Sequence, residues 1–325
     1  MAESTDELIA GIRDGDRRVL ARAITLVEST RPDHRRQATE VLDALLPAAG
    51  NSVRVGISGA PGVGKSTFIE TFGVQIADLG HRVAVLAVDP SSSRTGGSIL
   101  GDKTRMAELA RHPDTFIRPS PGGTQLGGVA RRTREAMLVC EAAGFDVVVI
   151  ETIGVGQSEV AVADMVDLFV LLVAPGGGDE LQGIKRGIME LADLVVVNKA
   201  DGELAAAAGR TAADYANALH LLRPKWTAWT AQSLSCSAGE RTGVAAVWQA
   251  IEAFRAATIG SGEADRQRQA QAVAWMWSEV QDTLLDRLRT DPAVAALVGP
   301  LETEVAAGQV TPTAAASRLL EALNP

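Results

Sequence analysis

Cys140 and Cys236 are the only thiols in 325 residues. Two cysteines are too few for a disulfide framework, and a reducing cytoplasm is the simplest compartment for such a chain. Histidine is nearly as scarce. His34, His81, His112 and His220 are scattered and the cysteines lie far apart, so no transition-metal site is visible. No apolar run approaches the roughly 18 residues of a membrane span; the longest, 168 to 174, has the length of a strand. The opening MAESTDELIA is acidic and lacks the positive flank and apolar stretch of a secretory signal. Basic residues number 31 against 40 acidic ones, for a net charge of −9, which argues against broad nucleic-acid binding. What remains is an ordinary globular composition, 46% hydrophobic and 22% charged, at a length suited to about two domains or one large domain with extensions.

The hydrophobic period changes twice along the chain. From about 5 to 49, apolar residues recur at three and four spacings (Leu8, Ile9, Ile12, Val19, Leu20, Ala23, Ile24, Val27), which predicts helix; Pro32 breaks the pattern before a second helix over about 33 to 46. From Val53 onward short β-branched runs alternate with helical stretches: VRVGIS at 53, VAVLAV at 83, DVVVIE at 146, LFVLLVA at 168 and LVVVN at 194. Such continuous runs suit strands covered on both faces in a parallel sheet. After Ile259 the pattern returns to helix, over about 263 to 289 and from 292 to the end, interrupted near Gly308 and Pro312. The expected architecture is α/β with a mostly parallel sheet in a central domain (51 to 259), a helical N-terminal extension (1 to 50) and a helical C-terminal arm (260 to 325). Val273, Trp277, Val280, Leu284 and Leu288 form a helical stripe on that arm and a candidate oligomer surface. Trp226, Trp229 and Trp275 read as packing residues, and Arg131, Arg132 and Arg134 as a solvated helix face.

Gly59, Ala60, Pro61, Gly62, Val63, Gly64, Lys65 and Ser66 fit G-x-x-x-x-G-K-[ST], and they stand between the VRVGIS strand and a helix that continues through Thr67. In that setting the glycines let backbone N–H groups turn in around phosphate oxygens. The helix N-terminus adds its positive end, Lys65 reaches the β and γ phosphates, and the Ser66 hydroxyl is a Mg²⁺ ligand. A bound Mg²⁺ calls for a carboxylate near the end of another strand, and Glu151 ends DVVVIE. Glu151 and Gly154 take the places of a D-x-x-G element, with glutamate where aspartate is commoner. Asp89 ends VAVLAV and Asp102 lies in ILGDKTR; either can orient water or hold Mg²⁺, directly or through a water.

Asn198, Lys199, Ala200 and Asp201 directly follow LVVVN and match N-K-x-D. A carboxylate there accepts two hydrogen bonds from guanine, at N1–H and the exocyclic amino group. Adenine offers no such pair. At about 1.5 to 3 kcal/mol for each charge-assisted bond, the pair discriminates by roughly a hundred- to ten-thousand-fold. Ser237 and Ala238 resemble the short S-A element that completes guanine sites through backbone contacts.

With these residues the chain resembles the MeaB/MMAA/ArgK family of G3E-type P-loop GTPases, from the helical lead to the tail. The more specific stretches are VDPSSS at 88, GSILGDKTRM at 97, RPSP at 118, ETIGVGQSE at 151 and PGGGDELQGIK at 175, in family order. The resemblance implies a GTP hydrolase of low intrinsic, partner-stimulated activity. It would act as a chaperone of adenosylcobalamin-dependent methylmalonyl-CoA mutase, gating cofactor delivery and protecting the mutase. It implies a cytoplasmic homodimer joined largely by the C-terminal helical arms, using Mg²⁺ and GTP, binding no cobalamin itself, and needing neither nucleic acid nor membrane. By the same similarity Lys65, Asp89, Asp102 and Glu151 would be catalytic, with Ser66, Asp102 and Glu151 around Mg²⁺, and Asn198, Lys199 and Asp201 would read guanine. Asp179, Glu180, Gln182 and Lys185 would form a third switch that passes the nucleotide state to the mutase. Its three consecutive glycines, Gly176 to Gly178, permit large backbone changes. The alternative, a P-loop kinase or ATPase linked to arginine and ornithine transport, follows older naming in the family, and Asp201 argues against ATP.

Overall fold

A computed structural model describes residues 4–88, 106–119, 126–152, 158–176 and 186–323. Asp89, Asp102, Gly154, Asp179, Glu180, Gln182 and Lys185 lie outside the described residues.

The β-branched runs form strands as their composition demands. β1 is Val53–Gly59, β2 Val83–Val88, β4 Val147–Thr152, β5 Leu168–Val173 and β6 Leu194–Val197, and every residue in them is buried. Two short strands add to these: β3, Thr115–Arg118, and β7, Gln232–Ser235. All pairings are parallel, in the order β3-β2-β4-β1-β5-β6-β7. β1 therefore lies at the centre with helices over both faces. Because every strand points the same way, the segments that follow them gather at one edge of the sheet, where open α/β folds bind ligands.

Three helices precede the sheet: α1 Thr5–Arg13, α2 Arg17–Val27 and α3 Pro32–Leu45. The sequence periodicity does not anticipate the first break. Gly15 takes φ +72°, and the Asp16 carboxylate caps α2 by accepting from Arg18 N at 2.7 Å and Val19 N at 3.1 Å. Pro32 opens α3 at its first turn, where its missing N–H has no cost. These helices bury Ile12, Leu20, Ile24, Val27, Val41 and Leu45 against one another and against the long helix before β4.

Helices α4 (Lys65–Asp78), α5 (Ala107–Arg111), α6 (Leu126–Ala142), α7 (Ser158–Ala163), α8 (Arg186–Leu191), α9 (Ala205–His220) and α10 (Val244–Gly260) alternate with the strands. Trp226 and Trp229 are buried with their rings edge-on to Phe254, so they pack in the core as expected. The chain divides into two compact units, Met1–Gln271 and Ala272–Pro325. The first turns of α11 (Glu263–Thr290) belong to the first unit and are fastened to it. Arg268 donates to both Asp167 oxygens at 2.8 and 2.6 Å, to Ser52 O at 2.6 Å and to Gly50 O. In the second unit α12 (Pro292–Ala306) packs on α13 (Pro312–Leu323), burying Val294, Leu301 and Ala315.

Candidate functional site

The phosphate loop leaves the end of β1. A Cβ on Gly59 would lie 2.4 Å from the Leu172 carbonyl of neighbouring β5, so only glycine lets the two strands exit this closely. Gly64 caps α4 at φ +93°, and a Cβ there would meet Asn198 Nδ2 at 2.8 Å. Between them Ala60, Pro61 and Gly62 are exposed while Val63 is buried and pins the loop. The Lys65 ammonium folds back over the loop, donating to Gly59 O at 2.7 Å and Ala60 O at 3.2 Å. Burial lowers its pKa, and the carboxylates of Glu151 and then Glu159 pull in the opposite direction. Thr67, next along α4, is exposed.

Glu151 pairs with Ile57 of β1 and Ala87 of β2 in the sheet register. That register places its carboxylate beside the start of α4: Ser66 Oγ donates to Glu151 Oε1 at 3.4 Å, and Glu151 is 6% exposed. One residue on, Thr152 Oγ1 donates to Ser58 Oγ at 2.7 Å inside the sheet. A buried carboxylate next to a hydroxyl at a helix start is a pair of hard oxygen donors, the type that suits Mg²⁺. No group of three metal-binding side chains occurs among the described residues.

The second corner forms at the ends of β6 and β7. Asn198 is 2% exposed and bridges three segments: its N–H donates to Val173 O at 2.9 Å, its Nδ2 to Val63 O in the phosphate loop at 3.0 Å, and its Oδ1 accepts from Ala238 N at 3.0 Å. Lys199 adopts φ +61° and sends its ammonium to Gly62 O at 2.7 Å. The Asp201 carboxylate accepts from the buried Ser237 hydroxyl, whose oxygen accepts in turn from Glu240 N at 3.1 Å. Asp201 stays half-exposed.

Every expected residue within the described residues therefore falls at this edge, in two clusters tied together by Asn198 and Lys199. Three neighbours escaped sequence reasoning. Thr71 donates to Ala238 O at 3.0 Å and steadies the S-A turn. Cys236, whose thiol burial pushes up to about 12, lies against Asn198 Oδ1 at 3.8 Å. Glu159 is 2% exposed in α7. Thr71 carried no motif, Cys236 read only as half of an unpaired couple, and Glu159 was visible only as the last letter of ETIGVGQSE.

A parallel sheet with a phosphate loop at its central strand, and an N-K-x-D corner hydrogen-bonded to that loop, defines a P-loop GTPase. Comparison with known proteins agrees. The profile described as "Methylmalonyl Co-A mutase-associated GTPase MeaB" matches residues 20–293. The chain is 56% identical over 322 residues to a probable GTPase of Mycobacterium tuberculosis, covering 99% of this chain and 96% of that one. It is 51% identical over 282 residues to GTPase ArgK of Escherichia coli, covering 87% and 85%. To the mitochondrial methylmalonic aciduria type A homolog of Mus musculus it is 48% identical over 329 residues, covering 98% and 79%. A solved structure titled as a LAO/AO transport system kinase superposes with a TM-score of 0.77 at 40% identity, covering 99% of this chain and 98% of that one. The chain belongs to the MeaB family of methylmalonyl-CoA mutase-associated GTPases, which are P-loop GTP hydrolases.

Proposed function

We propose that this chain is a nucleotide-controlled chaperone of adenosylcobalamin-dependent methylmalonyl-CoA mutase, hydrolysing GTP to gate cofactor delivery and to protect the mutase. The family match supports the partner. The observation that carries the nucleotide reading is the Asn198 bridge, since one buried amide holds the phosphate loop at Val63 and the S-A turn at Ala238 in fixed relation. Phosphates and base then meet a preorganised frame.

In this reading Asp201 accepts from guanine N1–H and N2–H, with Ala238 adding a backbone contact and the Lys199 stem lying along the loop. The backbone of Gly59 to Thr67 surrounds the phosphates. Lys65 exchanges its carbonyl partners, Gly59 and Ala60, for β and γ phosphate oxygens and stabilises the charge that grows as water attacks the γ phosphorus in line. Ser66 and Glu151, joined by Asp102, would hold Mg²⁺, which supplies further charge neutralisation on the phosphates. Asp89, Asp102 and Gly154 are assigned to the water and γ-phosphate side. Asp179, Glu180, Gln182 and Lys185 are assigned to the signal toward the mutase. Full turnover awaits the partner's action on these segments, so the chain alone should turn over slowly. Cobalamin stays with the mutase, and the pair works in the cytoplasm; no helix among the described residues is long and apolar enough to cross a membrane.

GTP hydrolysis is to be measured with and without methylmalonyl-CoA mutase. The expected result is a complex and a mutase-dependent change in rate; the absence of both with any cobalamin-dependent mutase overturns the partner assignment. The transport-kinase title of the structural relative suggests the competing reading. Calorimetry decides between them, because the Asp201 corner requires GTP to bind far better than ATP.

A further inference from the structure

Glu159 has a place in the site that the motifs do not assign. β4 runs to the binding edge of the sheet and β5 starts again at the opposite edge, so α7 between them begins at the binding edge and returns. α7 packs on β1 and β4, and its inward face is fixed by Val162, which is fully buried. Val162 fills the space over Gly56, where a Cβ would lie 3.0 Å from Val162 Cγ1 and from Val166 Cγ2. Residues three apart share a helix face, so Glu159 points to the same side as Val162, one turn or about 5 Å nearer the binding edge. On β1, Gly59 stands three residues past Gly56, about 10 Å toward that edge, and its carbonyl holds the Lys65 ammonium. The two lines converge on Lys65, and Glu159 is buried there at 2% exposure.

The charges around Lys65 agree with this placement. Among the described residues, Glu151 approaches from β4 but is shared with Ser66, and Lys199 is the nearby cation, bound to Gly62 O. Glu159 is the second carboxylate acting on the ammonium, from α7. Removing water from an ammonium makes an opposite charge beside it worth far more than at the surface.

We propose that Glu159 is a positioning residue that acts through Lys65, holding the ammonium over the phosphate loop so that it meets the nucleotide phosphates already oriented. This rests on the nucleotide site proposed above and adds to it a residue outside the phosphate loop.

The test is a double-mutant cycle on the full chain in EDTA, with calorimetric affinities for GDP and for guanosine. Glu159→Gln, which keeps the side-chain volume, should weaken GDP roughly tenfold, because an ammonium no longer held in place must be ordered as the phosphates bind, and leave guanosine binding unchanged. In a Lys65→Met background the same substitution should change GDP affinity less than twofold. Equal losses for GDP and guanosine, an undiminished loss in the Lys65→Met background, or no loss at all would each overturn the proposal. If Glu159→Gln does not fold, Glu159→Asp goes through the same cycle and decides by the same criteria, because it retracts the charge by one methylene. A parent chain that holds GDP no tighter than guanosine would instead remove the phosphate-site assignment itself.

Discussion

Asp201 shows how a single side chain is held in place by its neighbours. The Ser237 hydroxyl donates to Asp201 Oδ2, so in Asp201→Asn the amide oxygen should take that bond and turn the NH₂ group outward. In the proposed site guanine would present two donors to this position, and a donor facing donors cannot bond. GDP affinity should fall by roughly a hundredfold or more, the equivalent of two charge-assisted bonds. Xanthosine diphosphate carries a carbonyl where guanine carries its amino group and should recover much of the loss; calorimetry with both nucleotides checks the pair. Equal weakening toward both would show that Asp201 serves the turn and not the base. The four residues of N-K-x-D were legible because their chemistry is local to one strand end. Ser237 as the group that fixes the Asp201 rotamer was not, since 36 residues separate the two and only the β6 to β7 pairing brings them together.

At the scale of elements, the five buried strands were readable to within a residue or so because continuous β-branched runs have few other destinations. β3 and β7 were not. QSLS is polar and partly exposed at the sheet edge, and TFIR is four residues long, so neither offers periodicity to detect. Gly56 was equally silent, a glycine inside an apolar run, yet α7 depends on it. Gly56→Val should force Val162, Val166 and Phe169 apart, since even a first carbon meets all three at 3.0 Å. Overpacking of this kind costs about 1 to 3 kcal/mol, to be read as a lowered urea midpoint. The seam below the sheet gives a pH prediction. Glu141 is 5% exposed and accepts from Gly50 N, Ser52 Oγ and the Arg54 guanidinium at 2.5 to 3.0 Å. Burial pushes its carboxyl up, but the Arg54, Ser52 and Gly50 bonds outweigh burial and hold the native value below the ordinary 4.5. Its stabilisation is thus complete above pH 4.5 and is lost as pH falls through that lower native value. Glu141→Gln should cost about 3 kcal/mol at pH 7, because Arg54 keeps its charge without its carboxylate partner. The same substitution should flatten the stability loss below pH 4.5, and urea midpoints across pH 3 to 7 measure both effects.

For the whole molecule, the excess of length over a GTPase domain resolves into helices at both ends, and the two ends are used differently. The N-terminal three cover α6 and bury most of their apolar residues. Arg268 fastens the root of α11 to the starts of β1 and β5, the strands that lead to the phosphate loop and to residues 177–185. Beyond that root several large apolar residues of α11 are exposed. Val273 is 57% exposed, Trp277 58% and Leu284 51%, with Met276, Val280 and Leu285 beside them. Side chains of this size at helical spacing form the kind of exposed apolar surface that interfaces use, and in a homodimer a second copy of the chain would meet the stripe with its own. A stable contact requires burying about 800 Å² on each partner. The unmodified chain should therefore sediment at twice its formula mass of 33.9 kDa. Trp277→Glu combined with Leu284→Glu should bring it to the monomer, because each charge would be buried against the partner's apolar stripe without a counter-ion. GDP affinity, set by residues of the first unit, should stay within twofold. A chain already monomeric before substitution would remove the self-contact and leave the stripe for the mutase, and a double variant that still dimerises would place the self-contact elsewhere.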